Sequence, residues 1–206
     1  EYWRWDVDDT EIAIYYSESG EPLGYMVYLL KDEVMHIKEI VYLNNEGWRG
    51  LWKYISAHES MVTEVVGNNY SNEPIAFYLE DSDIKETIRP YIMGRIVDVE
   101  QFLQRYPFQP VSYPLSITFE VTDPMLEWNN RAFTLRFTPG NSPEFMDATP
   151  DAHHVALSIG MLTTLLLSYK HPRYLQEMEY IKTDLDTVRA LDMLISDEKA
   201  HISDYI

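Results

Sequence analysis

Three prolines fall within eight positions in QRYPFQPVSYP, at Pro107, Pro110 and Pro114. Each lacks the amide hydrogen that a helix interior or a sheet ladder needs, and each fixes its own φ, so no regular element runs through this stretch. The 206-residue chain is therefore expected to divide there, into a domain over residues 1–105 and a second over 106–206. Each part is long enough to bury a core.

Before the break, EIAIYY, LGYMVYLL and VMHIKEIVYL are rich in β-branched and aromatic residues, with turn-forming Ser19, Gly20 and Pro22, then Lys31 and Asp32, between them. This predicts an antiparallel meander. NNEGWRGLWKYISAHESMV then sets Trp48, Leu51, Trp52, Ile55 and Val62 at helical spacing behind Asn44 and Asn45 as candidate caps. TEVVGNNY reads as a short strand, SNEPIAFYLEDSDIKETIR as a loop with a helical piece, and YIMGRIVDV as a further strand. After the break, LSITFEV and RAFTLRFT read as strands joined by TDPMLEWNN, whose Asp123, Pro124, Asn129 and Asn130 favour turns. PGNSPEFMDATPDAHH reads as loop, and HVALSIGMLTTLLLSY as a strand followed by a helix from about Ile159. HPRYLQEMEYI suits a short helix with proline in its first turn, and KTDLDTVRALDMLI a final helix capped by Thr183 with Asp186 three residues on. The fold class is α+β throughout.

Thirty-four acidic against 16 basic residues give a net charge of −18. That field repels phosphate backbones, so nucleic acid is not an expected partner; it suits a cationic partner or serves solubility alone. With no cysteine, a disulfide framework, a thiolate metal site and a cysteine nucleophile are all excluded. IGMLTTLLLSY is too short to cross a bilayer, so no membrane insertion is expected and the chain reads as cytoplasmic. It opens EYWRWD, without Met and with aromatics already alternating, which suggests a fragment beginning inside a folded unit.

Few constellations carry chemistry by residue type alone. His153 and His154 lie near Asp147 and Asp151, but neighbours on a strand point to opposite faces and cannot share one ion, so no metal is expected. His58, beside Glu59 and Ser60, lacks the convergence of a catalytic triad and reads as a packed or capping histidine. Arg95 and Asp98 in GRIVDV form a charged pair within an apolar run, either matched to each other or lining a cleft.

GEPLGYMVY, IKEIVYLNNEGWRGLWKYISAHESMV, IRPYIMGRIVDVEQFLQRYPF, DPMLEWNN and a terminal DY plus apolar residue together resemble the enhanced intracellular survival (Eis) type acetyltransferases of the GNAT superfamily. The resemblance covers essentially the whole chain. It implies a central GNAT-like domain with a mixed or antiparallel sheet over 1–105, and a sterol-carrier-protein-like α/β sandwich over 106–206. By the same resemblance a catalytic first domain is missing. GNAT folds hold acetyl-CoA at an Arg/Gln-x-x-Gly-x-Gly/Ala loop leading into a helix, where free amides and the helix dipole favour the pyrophosphate. Here EGWRGLW keeps Arg49 and Gly50 but surrounds them with Trp48, Leu51 and Trp52, so acetyl-CoA is expected on the full-length protein and not on this chain.

The resemblance further implies that the carboxylate of Ile206 accepts a proton from the attacking amine, with Tyr205 and Asp204 orienting the tail and Asp98 near the acceptor pocket. It implies a homo-oligomer, a hexamer in the family, acting on a primary amine of a cationic acceptor. Two rival expectations stand beside it: an apolar-ligand-binding module, and a scaffold or oligomerisation module without catalysis.

Overall fold

The computed structural model describes residues 10–68, 75–79, 84–88 and 93–200. The chain forms two compact units, Glu1–Ile75 and Ala76–Ile206.

In the first unit the three expected runs become antiparallel strands β1 (Glu11–Tyr16), β2 (Pro22–Lys31) and β3 (Val34–Tyr42). The helix α1 (Asn45–Ser56) follows, and β4 (Glu64–Gly67) then pairs parallel to β3, giving the order β1-β2-β3-β4. A bulge fixes which side chains face α1. Lys38 is skipped in the pairing, so Ile40 opposes Met26 while Ile37 opposes Tyr28, and both isoleucines reach one face. Met26, Tyr28, Met35, Leu51 and Ile55 form the core there. The buried Tyr28 hydroxyl donates to Glu11 Oε2 at 2.8 Å and lies 2.6 Å from the Tyr54 hydroxyl, so burial and these two partners push its ionisation far above the ordinary phenol range. The β2–β3 turn is tight. Asp32 and Glu33 both take positive φ, 51° and 61°, as a two-residue hairpin demands.

The helix α2 (Ile75–Tyr78) starts on the last residue of the first unit and runs into the second, which holds α3 (Val99–Arg105) ahead of its sheet. The sheet strands are β5 (Leu115–Thr122), β6 (Arg131–Phe137), β7 (Glu144–Asp147) and β8 (His153–Ser158), in the order β7-β6-β5-β8. β8 runs parallel to β5 and the other pairs are antiparallel. The strand-to-helix change expected at Ile159 occurs there: Ser158 caps α4 (Ile159–Leu166) by accepting from the Met161 amide. α5 (Pro172–Glu177) begins with its proline, and α6 (Leu185–Leu194) packs with α4 on β5 and β8. Leu115, Ile117, Phe119 and Val121 alternate into the core, where they meet Leu162, Leu165 and Leu191. Ile96, Val99 and Leu103, which a division at 105 assigns to the first domain, belong to this same core.

Three local expectations change. Met93–Asp98 is not a strand, because Asp98 turns the chain into α3; Tyr91 and Ile92 lie outside the described residues. The stretch expected to be loop contributes β7, an edge strand whose four residues give little periodicity to read. The last helix is capped by Asp184, which accepts from the Thr187 amide, while the Thr183 hydroxyl donates to the His154 carbonyl. Among the described residues no helix is long and apolar enough to cross a membrane.

Candidate functional site

In the second unit an open groove of about 380 Å³ is lined by Asp98, Glu100, Trp128, Asn129 and Arg131. Its shape comes from the DPMLEWNN turn. Asp123 is buried and accepts from the Met125 amide at 2.9 Å, the Leu126 amide at 3.2 Å, Asn129 Nδ2 at 2.8 Å and the Arg95 guanidinium at 2.5 Å. Burial alone would raise its pKa, but the bonds from Asn129, the two amides and Arg95 outweigh it and hold the carboxyl far below the usual range. Asn130 closes the turn, accepting from the Asp123 amide and donating to the Asp123 carbonyl.

Asn129 then brackets Asp98. Its Oδ1 accepts from the Val99 amide at 3.1 Å, and its Nδ2 donates to the Val97 carbonyl at 3.1 Å, so both backbone neighbours of Asp98 are held by one buried carboxamide. The Trp128 indole N–H donates to the same carbonyl at 3.0 Å, which pins a ring that is 60% exposed. Asp98 caps α3, its Oδ1 accepting from the Gln101 amide at 2.9 Å and its Oδ2 from Gln101 Nε2 at 2.8 Å. The amide bond chiefly, against some desolvation, lowers its pKa, so the carboxylate stays charged at neutral pH. Glu100 and Arg131 pair with each other across the groove.

The expected Arg95–Asp98 pair is corrected. Arg95 reaches Asp123, because Asp98 is committed to the helix cap. Ile206, Tyr205 and Asp204 lie outside the described residues. His153 and His154 do face apart: His153 Nδ1 is 3.3 Å from the Thr187 hydroxyl, and His154 Nε2 is 3.3 Å from Glu120 Oε2. His58 Nδ1 lies 2.8 Å from the Tyr54 carbonyl with its ring against Tyr54, one turn back on α1.

In the first unit β3, α1 and β4 make a parallel crossover, the arrangement in which a helix N-terminus faces a bound anion. Here Asn44 Oδ1 already takes the Gly47 amide, and Glu46 puts a negative charge in the first turn. The glycines serve packing. A Cβ on Gly50 would lie 2.2 Å from the Tyr15 ring, and one on Gly47 would lie 2.2 Å from the Leu23 carbonyl.

Asn129, Trp128 and Asp123 were not among the expected site residues. Their signal was the Asp and Asn content of TDPMLEWNN, which suits any polar turn; nothing local says that such a turn grips a segment some thirty residues earlier.

Residues 99–203 match a sterol carrier protein domain, and residues 1–96 match an acetyltransferase (GNAT) domain. The chain is similar to a conserved protein of unknown function and probable N-acyltransferase from Enterococcus faecalis V583, with 25% identity over 96% of this chain and 50% of that one, at a TM-score of 0.85. It is also similar in fold to a GCN5-related N-acetyltransferase from Anabaena variabilis ATCC 29413, with 20% identity over 98% and 52% of the two chains and a TM-score of 0.77. Eis1 from Mycobacterium abscessus shares the fold at 19% identity, over 89% and 48% of the chains, with a TM-score of 0.71. The chain thus spans about half the length of these solved structures. No curated protein matches it. The expectation of a missing acetyltransferase domain is corrected accordingly: a GNAT domain falls on residues 1–96 of the chain itself.

Proposed function

Because the chain belongs to the sterol carrier protein domain family through residues 99–203, and carries an acetyltransferase (GNAT) domain over 1–96, we propose that it acts within a GNAT-type N-acetyltransferase. In that reaction the acetyl group of acetyl-CoA passes to a primary amine of a cationic acceptor, and the Asp98 groove forms part of the acceptor site. The ammonium first loses a proton to solvent, the amine nitrogen then attacks the thioester carbonyl carbon, the carbon–sulfur bond breaks, and the proton shed by the nitrogen goes to the departing sulfur, so that CoA leaves as its thiol. The observation that carries this reading is a charged carboxylate, Asp98, held rigidly in an open groove whose other acid, Glu100, is already neutralised by Arg131. A carboxylate with a depressed pKa attracts an ammonium but is a poor proton acceptor. Asp98 therefore binds and orients the acceptor and does not act as the base.

The α1 entrance is read as a packing surface, with its amide capped by Asn44 and its glycines filled by Tyr15 and Leu23. Acetyl-CoA is then the donor of the reaction but is not held at this entrance. Calorimetric titration of acetyl-CoA into the 206-residue chain tests this directly. No heat of binding is expected, and binding that weakens on Arg49→Ala would reverse the reading.

An apolar-ligand role would need space between the second sheet and its helices. Ile117, Phe119, Leu135, Leu162 and Leu165, each at most 1% exposed, pack within that layer, which counts against such a role.

A further inference from the structure

The groove's polar groups are nearly all committed before any ligand arrives. Trp128 spends its only N–H on the Val97 carbonyl. Asn129 spends both amide hydrogens, on Val97 and Asp123, and its Oδ1 accepts from Val99. Glu100 and Arg131 neutralise each other. What is left for a ligand is chiefly the Asp98 carboxylate, which accepts from the Gln101 amide and side chain and from the Glu100 amide, lies within the field of Arg131, keeps further lone pairs and, among the described residues, makes no close ion pair. Beside it in the groove lining stands a pinned indole that is 60% exposed.

A single carboxylate beside an aromatic face matches an ammonium on a methylene chain. The charge meets Asp98, the cation is attracted to the indole, and the methylenes cover apolar surface. An amine borne on a sugar gains less, since its several hydroxyls would give up water and find in return only the Arg131 N–H groups that Glu100 leaves unused and the carboxylate that the amine itself occupies. We propose that the groove selects an aliphatic primary ammonium, of the kind carried by a polyamine or a lysine side chain, over an amino sugar, with Trp128 as the specificity-determining residue. This rests on the reading of the groove as the acceptor site.

The test uses the 206-residue chain and two monocationic probes, n-pentylamine and glucosamine, at low salt and at a pH where both are protonated. Each is titrated while the Trp128 indole N–H resonance, assigned by its loss in Trp128→Leu, is followed. Pentylamine is expected to shift that resonance with an affinity about 5-fold or more above that of glucosamine. Followed instead through the backbone amides of Asp98 and Val99, Trp128→Leu should weaken pentylamine by about 2- to 5-fold and leave glucosamine nearly unchanged. Trp128→Phe, which keeps an aromatic face, should retain most of the affinity. Asp98→Asn should remove the binding of both. Equal affinity for the two amines, both lost in Asp98→Asn, would overturn the selectivity while sparing the acceptor groove. A response to neither amine would overturn the groove reading and the selectivity with it.

Discussion

Asn129→Ala removes the one side chain that holds both backbone neighbours of Asp98, and its cost follows from three hydrogen bonds. The Val99 amide, now buried without an acceptor, costs about 1–3 kcal/mol, and the two lost donor bonds about 1 kcal/mol each. The Val97 carbonyl keeps its bond from Trp128, and such terms overlap, so the expected total is about 3 kcal/mol. The second unit has about 130 residues, and unfolding entropies of about 2 cal/mol/K per residue convert this to a fall in melting temperature of roughly 11 °C. The transition should be followed through methyl resonances of Ile117 and Leu135, which report this core, with Met26 and Met35 methyls as the reference for the first unit. A fall below about 3 °C would refute the bracket. Asn129→Asp supplies a second discriminator. It would set a second carboxylate beside Asp123, raising the folded-state pKa of the pair above its unfolded value, so that variant should regain stability as pH falls through the carboxylate range.

Three further outcomes are expected. Asp98, Asp123 and Asp184 all have depressed folded-state pKa values, so the stability they confer is present above about pH 4, the unfolded carboxylate range, and is lost as pH falls through their folded values; urea midpoints of the second unit between pH 2 and 7 should show this slope, and Asp123→Asn should flatten it. Gly50→Ala drives a methyl into the Tyr15 ring and should destabilise the first unit by about 1–3 kcal/mol in urea unfolding, with much of the loss recovered in the double variant with Tyr15→Ala. Glu33→Gly relieves a positive φ of 61° and should stabilise the same unit by about 1 kcal/mol, read as a higher urea midpoint at unchanged slope.

Elements with strong periodicity were legible in the sequence. β1 to β3, α1, β5, β6 and α6 each combine a repeated apolar pattern with a cap or turn residue that marks an end, whereas α4 lies in an apolar run that suits strand or helix alike. The failures share a cause. Met93–Asp98 is as apolar as a strand, but Asp98 spends its side chain on the cap of α3, and that local bond decides the backbone. Arg95 looked matched to its near neighbour and instead pairs across 28 positions with Asp123. The groove was legible only at Asp98, as a charge in an apolar run that could line a cleft and through a resemblance, because Trp128 and Asn129 acquire meaning from the Val97 and Val99 backbone they grip. Long-range polar contacts of this kind leave no periodic trace.

The most direct measurement is acetyl transfer from acetyl-CoA to spermidine, followed by release of the CoA thiol, by a polypeptide that carries this chain at the full length of its solved relatives. Asp98→Asn should lower kcat/KM by an order of magnitude or more, chiefly through a higher KM for the amine, with the KM for acetyl-CoA unchanged. Wild-type kinetics for spermidine in that variant would contradict the assignment of the groove to the acceptor.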